Sequence, residues 1–286
     1  MRVSEALAVL VVQLQADGRS VHTVKQVERH VRLFARWAGD PPVAEVGHEL
    51  IARFLAGDAV RQRADGGARK ASSANAIRSS LRALGAFCYA AGYVASNPAR
   101  LVRRARTQPP SPKALSEHDM ARLMDALAQA STPLERRDKV MFTLLARTGL
   151  RLGSLVGLDV GDIDFDERVV HLRVLKNGGD DVVFLPDDVA ELVREHIGER
   201  AQGALFLSSH GARIGARHAR RRLEQWGMRA GVGAVHPHAL RHSFAMRVYE
   251  RTGDVLVTAA ALCHRSVASA QVYARPTRER VRAAVG

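Results

Sequence analysis

Apolar residues recur at helical spacing through the first hundred positions. Residues 3–15 form a moderately amphipathic stretch. Val24, Val27, Val31 and Phe34 follow one another at steps of three and four, with Trp37 one step on, which predicts a helix over about 22–38. Gly39, with Pro41 and Pro42 beyond it, ends that helix. Leu50, Ile51, Phe54 and Leu55 predict a short third helix. Ile77, Leu81, Leu84 and Cys88 stripe a fourth from about residue 73 to 92, and Asn97-Pro98 closes the module. Periodicity then disappears in RRARTQPPSPK, residues 103–113, whose prolines and basic residues predict an extended linker. Past it, Ser116 with Asp119 three residues on marks the start of a helix bearing Met120, Leu123, Met124 and Leu127. Thr132-Pro133 opens another, carrying Val140, Met141, Leu144 and Leu145 and ending at Gly149. Between 160 and 186 the period changes. Short β-branched runs, 169–174 and 182–185, flank Asn177-Gly178-Gly179 in the pattern of a hairpin, after which helical spacing returns. The expected fold is mainly α with a small antiparallel β-sheet in the C-terminal domain: a helical domain over 1–103, a linker over 104–113 and a second domain over 114–286.

Length and composition fit this division. A chain of 286 residues, 47% hydrophobic and 25% charged, suits one or two ordinary globular domains. The longest strictly apolar run, residues 6–12, is far too short for a membrane span, and Glu5 with no cleavage site downstream argues against a secretory signal. A cytoplasmic location is expected, with no membrane partner. Cys88 and Cys263 have neither disulfide-framework nor metal-ligand spacing. Charge adds the first functional clue: 43 Lys and Arg against 29 Asp and Glu give a net charge of +14, which favours a polyanionic partner. The excess is concentrated early, where residues 1–110 hold 17 basic and 8 acidic residues. Arg61, Arg63, Arg69 and Lys70 around the 64–67 loop, with Arg103 and Arg104 in the linker, are candidates for gripping phosphates. The alternative reading is that such charges only solvate loops and helix faces.

Reactive side chains gather in the second domain. TGLR ends at Arg151, Lys176 precedes the hairpin turn, and HALR places His238 and Arg241 on one helical face. LCH ends at His264, and Tyr273 follows nine residues later. Singly these motifs are weak in a chain with 12 histidines and abundant arginine. For Arg151 alone, a charge at a helix C-terminus is the default explanation. His236 reads as a loop residue, and His242 as a neighbour supporting Arg241.

Taken in order, Arg151, Lys176, His238, Arg241, His264 and Tyr273, with the phrases TGLR, PHALRHSFA and LCHRSVASAQVYA, resemble the tyrosine recombinase (phage integrase) family, most closely its Xer branch. The resemblance covers nearly the whole chain. It implies a two-domain DNA clamp, a four-helix SAM-like core-binding domain followed by the catalytic domain. The implied activity is site-specific recombination through a 3′-phosphotyrosine, serving chromosome-dimer resolution or integration and excision of a mobile element. Double-stranded DNA would be the partner, bound by a dimer on one site and a tetramer in synapsis, with a second recombinase or accessory protein also conceivable and a nucleoid association to match. Tyr273 would be the nucleophile. Arg151 and Arg241 would clamp the charge growing on the phosphate, and Lys176 would protonate the departing hydroxyl. His238 would accept the phenolic proton and His264 would hydrogen-bond the phosphate or orient the site. No metal or cofactor is required. The last residues, 277–286, either fray or dock on a neighbouring protomer as terminal segments of related recombinases do.

Two departures stand out. Ser154 occupies a position three after Arg151 that is often acidic in the family. Cys263 replaces the usual glycine before the motif histidine, which predicts an ordinary backbone conformation there and places a thiol beside the site, either redox-sensitive or simply buried. These departures leave two other readings open: a DNA-binding regulator with a decayed site, and a relaxing enzyme of the type IB topoisomerase kind.

Overall fold

The computed structural model describes residues 1–63, 65–106, 114–172, 181–263 and 282. It divides into two units, Met1–Pro110 and Ser111–Gly286. Lys176, His264, Tyr273, the Asn177-Gly178-Gly179 turn and the 277–286 tail, apart from Arg282, lie outside the described residues.

In the first unit the apolar stripes become helices α1 (Val3–Ala16), α2 (Val21–Ala38), α3 (His48–Ala56), α4 (Asp58–Arg61) and α5 (Ala71–Ala90). Ser20 caps α2 by accepting from the Thr23 N–H at 3.2 Å, and Gly39 ends it in the left-handed conformation. Val24, Val27, Val31 and Phe34 are all buried, as the period requires, and Phe34 meets Phe54 of α3 edge-on at 5.2 Å. Val3 and Leu7 of α1 with Ile77, Leu81 and Leu84 of α5 complete this core. The single turn α4 has no sequence periodicity to announce it. The Arg69 side chain holds its end, donating from Nε to the Val60 carbonyl at 2.9 Å and from Nη2 to that of Gln62 at 2.8 Å. Asn75 of α5 exchanges two hydrogen bonds with the Ala105 backbone, at 3.0 and 2.7 Å, so a residue in the segment expected as linker is held to α5.

His30 joins α2 to α5 in a defined protonation state. Ser80 Oγ donates to the Ala76 carbonyl at 3.1 Å and lies 2.9 Å from His30 Nδ1, so Nδ1 carries the hydrogen. The Arg29 guanidinium, 3.3 Å away, donates to Nε2. Burial, then Arg29, lowers the His30 pKa to about 4. The unfolded chain therefore binds a proton that the folded unit refuses between its ordinary 6.5 and about 4, and stability present above pH 6.5 is lost on acidification through that window. Replacing His30 by Gln should flatten the pH dependence of first-unit stability across this range by one proton, as read from urea unfolding at a series of pH values.

The second unit contains α6 (Glu117–Ala128), α7 (Pro133–Thr148), α8 (Leu152–Gly157), α9 (Asp187–Ile197), α10 (Ala216–Arg229), α11 (Pro237–Thr252) and α12 (Val255–Ala261). Ser116 accepts from the Asp119 N–H at 3.0 Å. Thr132, followed by Pro133, forms a full capping box with Glu135. The hairpin runs are β2 (Val169–Leu172) and β3 (Asp181–Phe184), antiparallel with Val169 opposite Phe184 and Leu172 opposite Asp181; β1 (Ile163–Asp164), too short for a sequence signal, pairs with β2. Phe142, Leu144 and Leu145 of α7 lie at the centre of the core with Leu155, Val189, Phe206, Leu223 and Leu240.

One buried charge ties α7 to α10. The wholly buried Asp138 accepts from Arg137 Nη2 at 2.5 Å on one oxygen, and from Arg222 Nε at 2.6 Å and Trp226 Nε1 at 3.1 Å on the other. Arg137 also donates to the Leu207 carbonyl at 2.7 Å. Removing the carboxylate leaves a buried guanidinium without its counter-charge, so Asp138→Ala should cost the second unit about 3–5 kcal/mol in urea unfolding. Asp138→Asn, which keeps an oxygen for Trp226, should cost less.

Candidate active site

The TGLR motif ends α7 and begins α8. Gly149 takes the left-handed conformation that stops α7, and a Cβ there would collide with the Phe244 ring, so both backbone and space demand glycine. The chain can then turn tightly enough to make Arg151 the N-cap residue of α8, with its side chain exposed. Arg241, on α11, is only 7% exposed. Its guanidinium donates through Nη1 to the Gly149 carbonyl and through Nη2 to the Leu262 carbonyl at 2.8 Å. These two oxygens close α7 and α12, so a buried cation sits at the negative ends of two helices. Arg247, one and a half turns further along α11, donates to the Ala146 carbonyl at 2.7 Å and reinforces the junction.

Arg151, Ser154, Arg241, Leu262 and Cys263 line one small cleft, together with Leu172 of β2 and Val183 of β3. His238 lies one helical turn before Arg241. Its pKa is pushed below the usual imidazole value, first by partial burial and then by His236, Arg241, Arg220 and Arg151. That influence draws Arg220, on α10, and His236 into the same electropositive surface. The structure thus brings together Arg151, His238 and Arg241; Lys176, His264 and Tyr273 lie outside the described residues. His236, expected as a loop residue, lies in extended conformation just before α11 and serves as its N-cap, for which its place before a proline at the first helical position was the available signal. Arg220 carried no signal beyond a run of basic residues. Among the described residues no group of His, Cys, Asp and Glu is arranged to hold a metal, and no helix is long and apolar enough to cross a membrane.

The first unit has its own basic feature. Arg29 and Arg36, on the polar side of α2, line a cleft of about 470 Å³ with His30, Arg63, Arg69 and Ser73. Arg61, Arg63, Lys70, Arg103 and Arg104 are exposed. Arg69 is half-buried and holds the backbone around α4, while Arg63 pairs with Asp65 at 3.1 Å. Of the residues expected to reach phosphates, these two therefore have structural partners within their own unit. Arg29 and Arg36 were missed because sequence reading followed only the apolar side of α2.

The sequence pattern of the phage integrase family matches residues 113–280. The chain belongs to that family. The tyrosine recombinase XerC of Chromobacterium violaceum is 31% identical, over 94% of this chain and 89% of its own length. The fold is shared with the Tn1549 transposon integrase in complex with transposon right end DNA, at a TM-score of 0.76 and 20% identity over 99% of this chain and 98% of that one. It is shared also with a lambda integrase tetramer bound to a Holliday junction, at a TM-score of 0.71 and 20% identity over 93% and 78%. The protein is a Xer-like tyrosine recombinase, an enzyme of site-specific DNA recombination.

One expectation for this recombinase is corrected. Cys263 does not take an ordinary conformation: its φ is +48°, in the left-handed region. With α12 finished and the Leu262 carbonyl held by Arg241, the Cys263 N–H turns back to the Ala260 carbonyl at 2.9 Å, the geometry that ordinarily selects glycine. The thiol is half-buried and points to the Val182 carbonyl at 3.7 Å. A non-glycine residue here is strained by about 1–2 kcal/mol, part of which glycine's extra freedom in the unfolded chain would offset. Cys263→Gly should therefore be more stable than Cys263→Ala by about 1 kcal/mol in denaturant unfolding, since only the first removes the Cβ.

Proposed function

We propose that this recombinase cuts DNA with Tyr273 as the nucleophile, using Arg151 and Arg241 to bind the scissile phosphate and His238 to accept the phenolic proton. The observation that supports this reading most is the hold of Arg241 on the carbonyls of Gly149 and Leu262, which gathers three separated motifs at one cleft. Attack of the phenolic oxygen on phosphorus forms a phosphotyrosine and releases a 5′ hydroxyl, and the new ester preserves the bond for rejoining. Two guanidiniums offer paired, charge-assisted hydrogen bonds to the oxygens on which charge builds. A neutral His238, which its lowered pKa favours, is the form able to take a proton. Lys176 supplies the proton to the leaving hydroxyl and His264 orients the phosphate, both roles resting on the family resemblance. The metal-free, cofactor-free reaction follows from the same reading.

Duplex DNA is the substrate of this scheme, embraced by a core-binding domain over 1–103 and a catalytic domain over 114–286, joined by a linker over 104–113. In the first unit the cleft beside Arg29, Arg36 and Arg63, with the exposed Arg61, Lys70, Arg103 and Arg104, supplies backbone contacts that carry no sequence information. Two protomers occupy one site and four assemble in synapsis.

A nicked duplex carrying the sequence that the chain selects from a random pool provides the test. The unmodified protein should form a covalent adduct on denaturing gels, and Tyr273→Phe should bind equally well without forming it. Arg151→Ala should slow adduct formation by about 10²-fold or more, because the exposed Arg151 contributes to the transition state rather than to the fold. Binding without an adduct from the unmodified protein would leave a DNA-binding regulator in place of an enzyme.

A further inference from the structure

His236 and His238 flank the proline that begins α11. The Nδ1 atom of His236 accepts from the His238 backbone N–H at 3.3 Å, and the two rings stack with centroids 5.3 Å apart and planes inclined by 17°. Because Nδ1 accepts, a neutral His236 carries its hydrogen on Nε2. Capping alone needs no ring: Asn, Asp and Ser do it best. The imidazole adds a flat face, and that face lies against His238. The remaining charged neighbours of His238 approach from three elements: Arg241 and His242 on α11, Arg220 on α10 and Arg151 at the head of α8.

We propose that His236 is a positioning residue for His238, fixing the plane of its imidazole and, through their proximity, setting how readily that ring takes a proton. The inference rests on the reading of His238 as the base. Cap and stack act at right angles to each other: the hydrogen bond anchors His236 to the backbone of the very residue whose side chain it covers, so the His238 ring has one face bounded by a partner that cannot drift along the helix. Among the causes that lower the His238 pKa, His236 follows only partial burial, to which its ring contributes cover.

Three variants separate this role from simple capping. His236→Asn keeps an excellent cap and removes the ring; His236→Phe keeps a ring and removes the cap acceptor; His238→Gln identifies the His238 ring signal and tests the base. In the free chain, NMR titration of the His238 ring should move to higher pH in His236→Asn, with an unchanged melting temperature. With the nicked duplex, adduct formation by that variant should slow and its acid limb should move upward by the same amount. His236→Phe should melt at a lower temperature and, having kept the ring face but lost its anchoring hydrogen bond, should form adduct more slowly than the unmodified protein but faster than His236→Asn. An unchanged His238 titration and adduct rate in His236→Asn would overturn the proposal, as would loss of activity confined to His236→Phe, the signature of a cap alone. Should the acid limb persist in His238→Gln, the assignment of the base fails instead, and the NMR shift still decides whether His236 governs His238.

Discussion

A single buried guanidinium organises the catalytic unit. Arg241 is charged, almost wholly removed from water, and placed where the last carbonyls of α7 and α12 point toward it. Burying a cation without acceptors is costly, whereas the ends of two helices supply both hydrogen bonds and favourable dipoles. That arrangement explains why the surrounding backbone is so constrained. Gly149 must be glycine to end α7 against Phe244, and Cys263 is driven into the left-handed region because the residue before it is already held. Arg241 is therefore held with little rotamer freedom left, the form of preorganisation on which the proposed phosphate clamp would depend.

Two acids of this unit, Asp138 and Glu135, serve the structure around α10. Asp138 joins α7 to α10 from inside the core, and Glu135 caps α7 while pairing with Arg229 at the far end of α10 at 2.8 Å. The Ser131 and Thr132 backbone N–H groups, chiefly, hold the Glu135 carboxyl down to about 2. These contacts fix α10 at two points, and just before the first of them it presents Arg220 toward His238. The polar network that stabilises the fold is thereby connected to the electrostatics of the site through one helix.

Much of this was legible from periodicity, because a helix that buries one stripe must repeat its apolar residues with the helical period. The stripe Val24, Val27, Val31 and Phe34 reports directly which face is buried, and the runs around 169 and 182 report the strands that pair. Elements of one turn or two residues, such as α4 and β1, have no period to show and owe their existence to tertiary partners, Arg69 in one case and β2 in the other. The site was legible as an ordered set of residue types, while its mutual geometry was not. Nothing local in the sequence states that Leu262 will be gripped by Arg241, and without that contact the ordinary preference of a cysteine gives the wrong backbone conformation. Family likeness identified Ser154 as a departure, whereas its company in the cleft with both arginines is a fact of the fold.

Ser154 bears on the sign of the whole cleft. A carboxylate at that position would stand among Arg151 and Arg241 and draw protons toward His238, opposing the effect of the cations. A hydroxyl carries no such charge, so in the free chain the cations add to partial burial and His236 in lowering the His238 pKa. A phosphate placed between the two arginines would bring the missing negative charge from the substrate. By linkage, the anion that benefits from the cations must also raise the proton affinity of the imidazole they had depressed. In the proposed mechanism His238 thus starts deprotonated and becomes a stronger base as the phosphate arrives, so the substrate itself would complete the electrostatic balance that a carboxylate side chain would otherwise have set in advance.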